Sequence, residues 1–120
     1  MLNLDTHILV SILNGELSPR EDELVLKNEL AISGVVLWEL AKLIQLGRLD
    51  MDLDSLEFRQ CLRRLSVLPI TLEIARASTR LDFSSDPADE IIAATSIVEK
   101  IPLLTRDRRI LRSRLVPLAR

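Results

Sequence analysis

The reading of the fold turns on one stretch, Leu2-Asn3-Leu4-Asp5 running straight into Thr6-His7-Ile8-Leu9-Val10-Ser11-Ile12-Leu13-Asn14. Leu2 to Leu4 is a short apolar run of strand type, closed by Asp5. Thr6 to Asn14 reads as a helix, and Gly15 to Pro19 breaks it. The alternation then repeats. Glu21 to Asn28 is helical, Leu30 to Ile32 a strand, and Val35 to Leu46 a helix stopped by Gly47. Leu53 to Leu65 reads as a further helix, Val67 to Leu68 as a short extended piece before Pro69, and Thr71 to Arg80 as a helix. Asp86 to Lys100 is a helix with Pro87 in its first turn, a favoured place for proline. Pro102 to Leu104 is a strand, a basic helical turn follows, and Leu115 to Pro117 is expected as a last edge strand. Short apolar strands alternating with helices of about 10 to 15 residues imply an α/β fold, a short parallel sheet covered on both faces.

Composition narrows the function. The chain has 120 residues, 48% hydrophobic and 28% charged, which suits one globular domain over residues 1–120. Its single cysteine, Cys61, excludes an internal disulfide and a cysteine-rich zinc site. No apolar run approaches a membrane span and no signal peptide is visible, so a cytoplasmic protein is expected. The net charge of −2 argues against nucleic-acid binding by bulk positive charge. The cations are nevertheless uneven: Arg106, Arg108, Arg109, Arg112, Arg114 and Arg120 crowd the last 15 residues. Trp38, Phe58 and Phe83 are the only aromatics, too few for a base-stacking platform.

In a parallel sheet, ligands sit beyond the carboxyl ends of the strands. Asp5 ends the first strand there, and Asp107 follows the strand at Leu103-Leu104. Asp86 and Asp89 occupy the first turn of a helix that starts at the same edge. Glu39 lies early in another such helix, and helical side chains lean back toward the helix start. Four distant segments thus bring carboxylates to one rim. Each has a structural alternative. Asp5, Asp86 and Asp107 suit helix capping, Asp89 suits the helix dipole, and Glu39 has Lys42 three residues on. Convergence favours function, because crowded carboxylates repel one another and a hard divalent cation removes the repulsion.

Four blocks in order carry a resemblance: Leu4-Asp5-Thr6-His7, Ser33-Gly34-Val35-Val36-Leu37-Trp38-Glu39-Leu40, Asp86-Pro87-Ala88-Asp89-Glu90-Ile91-Ile92-Ala93-Ala94-Thr95, and Pro102-Leu103-Leu104-Thr105-Arg106-Asp107. The chain resembles the PIN domain, and within it the VapC toxins of toxin–antitoxin pairs. The resemblance implies a three-layer α/β/α sandwich and an endoribonuclease that uses Mg²⁺ or Mn²⁺. It implies Asp5, Glu39, Asp89 and Asp107 as the acidic quartet, with Asp5, Asp89 and Asp107 as metal ligands and Thr6, Asp86 and Thr105 in support. It also implies an RNA substrate, a cognate antitoxin and a homodimer. One departure stands out: many relatives carry Arg directly after the position of Asp89, where this chain has Glu90.

Arg106, Arg108, Arg109 and Arg112 are candidate RNA-phosphate contacts, with a solvated helical face as the alternative. His7 and Cys61 are read as structural, and Trp38 as core or dimer contact. Apolar helix faces near Glu21 to Asn28 and Leu53 to Leu65 suit a protein partner. Two competing functions are a catalytically silent PIN-like interaction module and a signalling receiver domain. A receiver needs a lysine at the end of a late strand, and Lys27, Lys42 and Lys100 end none.

Overall fold

The computed structural model describes all 120 residues. Strands β1 (Leu2–Leu4), β2 (Leu30–Ser33), β3 (Leu65–Leu68) and β4 (Leu103–Leu104) form one sheet in the order β3-β2-β1-β4. Every neighbouring pair is parallel. Parallel neighbours need a crossover, and helices supply each one. Helices α1 (Thr6–Asn14) and α2 (Pro19–Lys27) join β1 to β2, and α3 (Gly34–Gln45) and α4 (Leu56–Arg63) join β2 to β3. Helices α5 (Leu72–Ala77) and α6 (Pro87–Glu99) join β3 to β4, and α7 (Arg108–Leu111) follows. β1 is buried along its whole length: Asn3 meets α6, so by strand alternation Leu2 and Leu4 face the opposite layer. This is the expected three-layer architecture.

The chain steps outward from β1 through β2 to β3, then crosses to β4 on the other side of β1. That reversal puts the topological switch point between β1 and β4, where open parallel sheets place their ligands. The order also removes the receiver reading, because a flavodoxin-like sheet flanks its first strand with the second and third.

Local chemistry explains most element boundaries. Ser18 and Glu21 close a reciprocal capping box at the start of α2, with Pro19 at its first position. Ser33, Ser55 and Thr71 cap α3, α4 and α5 through their hydroxyls.

Several expected boundaries move, and α2 opens at Pro19, inside the expected break, because Ser18 caps it there. The helix expected over Leu53 to Leu65 is confined to α4 by the Ser55 cap, and Leu65 leaves its helical stripe to pair with Leu30. β3 therefore runs from Leu65, longer than the expected Val67–Leu68 piece. The helix expected over Thr71 to Arg80 stops at Ala77. The hydroxyls of Ser78 and Thr79 donate to the carbonyls of Ala75 and Arg76, competing with the backbone ladder. The edge strand expected at Leu115 to Pro117 is absent. A single parallel bridge, Leu103 to Leu118, replaces it; the Pro117 carbonyl accepts from Leu103, but proline has no N–H to extend a ladder.

Candidate active site

The switch-point crevice is walled by the residues that follow β1 and β4. Asp5 is nearly fully buried, and both of its oxygens are held. Oδ1 accepts the Thr6 backbone N–H at 2.8 Å, and Oδ2 accepts the Thr105 hydroxyl at 2.6 Å. Thr105 Oγ1 in turn accepts the Asp107 backbone N–H at 3.0 Å. The start of the loop after β4 is thereby tied to the end of β1. The Thr6 hydroxyl donates to Glu39 Oε1, joining the start of α1 to α3. Glu39 is half-buried and does not pair with Lys42, whose ammonium bonds Gln45 instead.

α6 begins at the same edge. Asp86 has N-cap backbone geometry, but its side chain makes no capping bond, so its exposed carboxylate stays free. The expectation that it caps the helix holds for the backbone only. Asp89 Oδ2 accepts the Ser85 hydroxyl at 2.9 Å, and Glu90 accepts the Ser85 N–H at 3.3 Å. Burial pushes the Asp89 carboxyl up to about 6, and the charges of Asp5, Glu39 and Asp107 push in the same direction. The Ser85 hydroxyl pulls in the opposite direction. Four carboxylates from four segments therefore share one electrostatic neighbourhood.

Asp107 caps α7, its Oδ1 accepting from Arg109 N at 2.8 Å and Ile110 N at 3.3 Å. The neighbouring cations do not point at this acid. The Arg106 guanidinium grips Glu21 with Nε and Nη2, each at 2.8 Å, and also donates to Ser11 Oγ and the Glu16 carbonyl. All its nitrogens are engaged, so a phosphate would have to displace Glu21. Arg108 and Arg112 are exposed and form no ion pair, and Arg109 donates to the Ser84 carbonyl. Asp82 accepts from Ser113 Oγ and Arg114 N, which ties the basic segment to the loop before α6.

Asp5 and Asp107 line a polar recess of about 480 Å³ together with His7, Ser11, Glu16 and Arg106. His7 is exposed on that wall rather than packed. Trp38 is 55% exposed, which removes the core reading. Cys61 is half-buried, and burial pushes its thiol up, as suits inert packing. Ser85 and the Ser11–Glu21 brace of Arg106 escaped the sequence reading. Ser85 sits four residues before Asp89, a spacing that would have found it; Glu21 is 85 residues from Arg106 and left no such signal.

The donor set is wholly oxygen, crowded and uncompensated, which fits a hard divalent cation. As they stand, no three of these side chains close around a single point. Asp107 is turned to its cap, and Asp5, Glu39 and Asp89 are each held by neighbouring donors.

The PIN domain family matches residues 3–114. Ribonuclease VapC22 of Mycobacterium tuberculosis is 34% identical over 86 residues, a match that spans 69% of this chain and 66% of that protein. Among solved structures, VapBC2 from Rickettsia felis bound to a promoter DNA fragment shares the fold at a TM-score of 0.70 and 23% identity, covering 99% of this chain and 98% of that one. VapBC from Salmonella typhimurium bound to DNA does so at 0.69 and 19% identity, covering 98% and 96%. The β3-β2-β1-β4 sheet, the acids gathered at its switch point and a family match running nearly end to end agree: this chain belongs to the PIN domain family.

Proposed function

We propose that this chain is a divalent-metal-dependent endoribonuclease, the toxin of a VapBC-type pair, acting in the cytoplasm as one catalytic domain. The observation that carries the reading is the convergence of Asp5, Glu39, Asp89 and Asp107, from four separate segments, on the carboxyl edge of the sheet, where burial and the other three charges push the Asp89 carboxyl up. A ribonuclease among its relatives and toxin–antitoxin complexes among its structural neighbours support the same reading. They also support a cognate antitoxin as partner, and the fold suits a homodimer.

Asp5, Asp89 and Asp107 would hold Mg²⁺ or Mn²⁺. When bound, the ion supplies the positive charge that lets water ionise near neutral pH and that steadies the developing charge on phosphate. The chain's own groups do the rest. Thr6 N–H and the Thr105 hydroxyl fix the Asp5 carboxylate in one orientation. Thr6 holds Glu39 by Oε1 and leaves Oε2 to orient and deprotonate the attacking water. The Ser85 hydroxyl holds Asp89 Oδ2. Asp86, free of its cap, adds negative charge at the outer rim. Arg108, Arg109 and Arg112 present positive charge to the RNA backbone on either side of the cut. Arg106 serves as the brace of the Asp107 loop.

The test is cleavage of labelled total RNA by purified, antitoxin-free protein in Mg²⁺, Mn²⁺ or EDTA, with Asp5→Asn in parallel. Metal-dependent fragments that vanish in the variant are expected. Folded protein that cuts nothing under any metal overturns the reading in favour of a silent interaction module.

A further inference from the structure

β1 carries a buried polar side chain of its own, two residues before Asp5. Asn3 is fully buried, and strand alternation puts it on the same face as Asp5. Its Nδ2 donates to the Ile92 carbonyl at 3.1 Å and to Ser96 Oγ at 3.0 Å, both on α6. Its Oδ1 has no partner. A buried acceptor left unmet destabilises the fold, and an apolar residue of similar volume would avoid that penalty. The two donated bonds are therefore made against an unmet acceptor, and what an apolar residue would lack is their direction.

α6 shows what the amide does. Asp89, Ile92 and Ser96 lie three and four residues apart and so form one stripe of the helix. Asn3 of β1 lies against Ile92 and Ser96 of that stripe, and Asp5, the extended residue just after β1, acts on Asp89 at the carboxyl edge. The rest of the buried surface of α6 is largely small: Ala88, Ala93, Ala94 and Thr95. Such side chains form shallow ridges, and apolar contact is not directional. The two Asn3 bonds are directional, and they reach two successive turns of one helix face.

We propose that Asn3 is a positioning residue: its carboxamide sets the register and rotation of α6 on β1, and so the spacing between Asp5 and Asp89. This rests on the metal-nuclease reading only for its functional consequence; the register itself is a claim about packing. Neighbours that orient metal ligands typically matter about 10- to 100-fold in affinity or activity.

The decisive variant is Asn3→Leu, which keeps the branch at Cγ, is somewhat larger, and lacks the orphaned acceptor. Relief of the unmet acceptor offsets part of the cost of the larger volume, so the variant should still fold cooperatively, with a melting temperature lowered by a few degrees. Its Mn²⁺ affinity by calorimetry, in the absence of RNA, should fall about tenfold or more, and kcat should fall with little change in KM. Its crystal structure should show α6 shifted along or turned against β1. Ser96→Ala, which removes one of the two bonds from the helix side, should move Mn²⁺ affinity in the same direction by less, and it keeps the test available if Asn3→Leu does not fold. A folded Asn3→Leu protein with α6 unshifted and wild-type Mn²⁺ affinity overturns the proposal. A wild-type protein that neither cuts RNA nor binds Mn²⁺ sinks the nuclease reading instead, and the position of α6 in the variant still decides the register.

Discussion

The acidic rim and the basic segment after it are built in opposite ways. The carboxylates come from the residue after β1, from α3, from α6 and from the loop after β4, and neighbouring groups orient them: Thr105 and the Thr6 N–H hold Asp5, Thr6 holds Glu39, and Ser85 holds Asp89. The cations Arg108, Arg109 and Arg112 come from one contiguous run. Its backbone is pinned through Asp82 and Asp107, while Arg108 and Arg112 stay exposed and form no ion pair. The contrast follows from the two tasks. Bond breaking needs groups held to within about half an ångström. A phosphate backbone needs positive charge in roughly the right place, and mobile side chains supply it.

The largest test of this contrast is Asp5→Asn. Asparagine keeps the cap on α1 and the shape of the site, and removes one charge. RNA cleavage should fall by at least about a hundredfold, with the melting temperature within a few degrees of wild type. Retained cleavage would mean that the rim is not the reaction centre. Neutralising the basic run should act differently. Arg108→Gln, Arg109→Gln and Arg112→Gln should each raise KM for RNA several-fold and leave kcat nearly unchanged. Each should also lower the salt slope of binding by about one for every phosphate that is no longer neutralised. A uniform loss of kcat would mean that these arginines belong to the fixed machinery and that the contrast is false.

Asp89 tests the electrostatics of the rim. Its folded value of about 6 lies above the ordinary 3.8, so the folded state holds this proton more tightly than the unfolded chain does. Ionisation above pH 6 therefore costs stability, and lowering the pH from 6 toward 4 restores it. In EDTA, Asp89→Asn should melt a few degrees higher than wild type above pH 6. That corresponds to on the order of 1 kcal/mol once solvent screening is allowed for, and the gap should close near pH 4. Wild-type Mn²⁺ affinity should weaken as the pH drops through 6, because protons compete for the same oxygen. A variant that melts lower at every pH would show Asp89 to be a structural helix acid.

What was legible in the sequence follows the same division. Strands that end in acids, the caps at Asp5 and Asp107 and the placing of the four carboxylates at one edge were readable, because each leaves a local mark and the sheet rule says where the marks converge. The strand order, and with it the switch point between β1 and β4, was not readable, because nothing local says which side of β1 the last strand takes. β3 was underestimated because the spacing of Phe58, Cys61, Leu62 and Leu65 satisfies a helix as well as it satisfies a strand start. Arg106 looked equivalent to its neighbours in the basic run. Only the fold brings Glu21 to it across 85 positions, and a long-range ion pair has no spacing signature.

That pair gives the smallest effect and the sharpest check on Arg106. The Arg106 guanidinium holds the Glu21 carboxyl down at about 2, against an ordinary 4.5. A depressed carboxyl adds stability above its unfolded value, and that stability is lost as the pH falls from about 4.5 toward 2. Glu21→Gln keeps the capping box with Ser18, since glutamine serves at that position, and removes the charge together with one of the two Arg106 bonds, because an amide nitrogen cannot accept. The variant should be slightly less stable than wild type at neutral pH, with the difference shrinking through the acid window and vanishing near pH 2. RNA cleavage should change little if Arg106 is a brace with its other bonds intact, and Arg106→Ala should reproduce the acid behaviour. If Glu21→Gln instead tightens RNA binding, freeing the guanidinium has turned it toward the substrate. Arg106 would then belong with the mobile cations, held back from them by a single carboxylate.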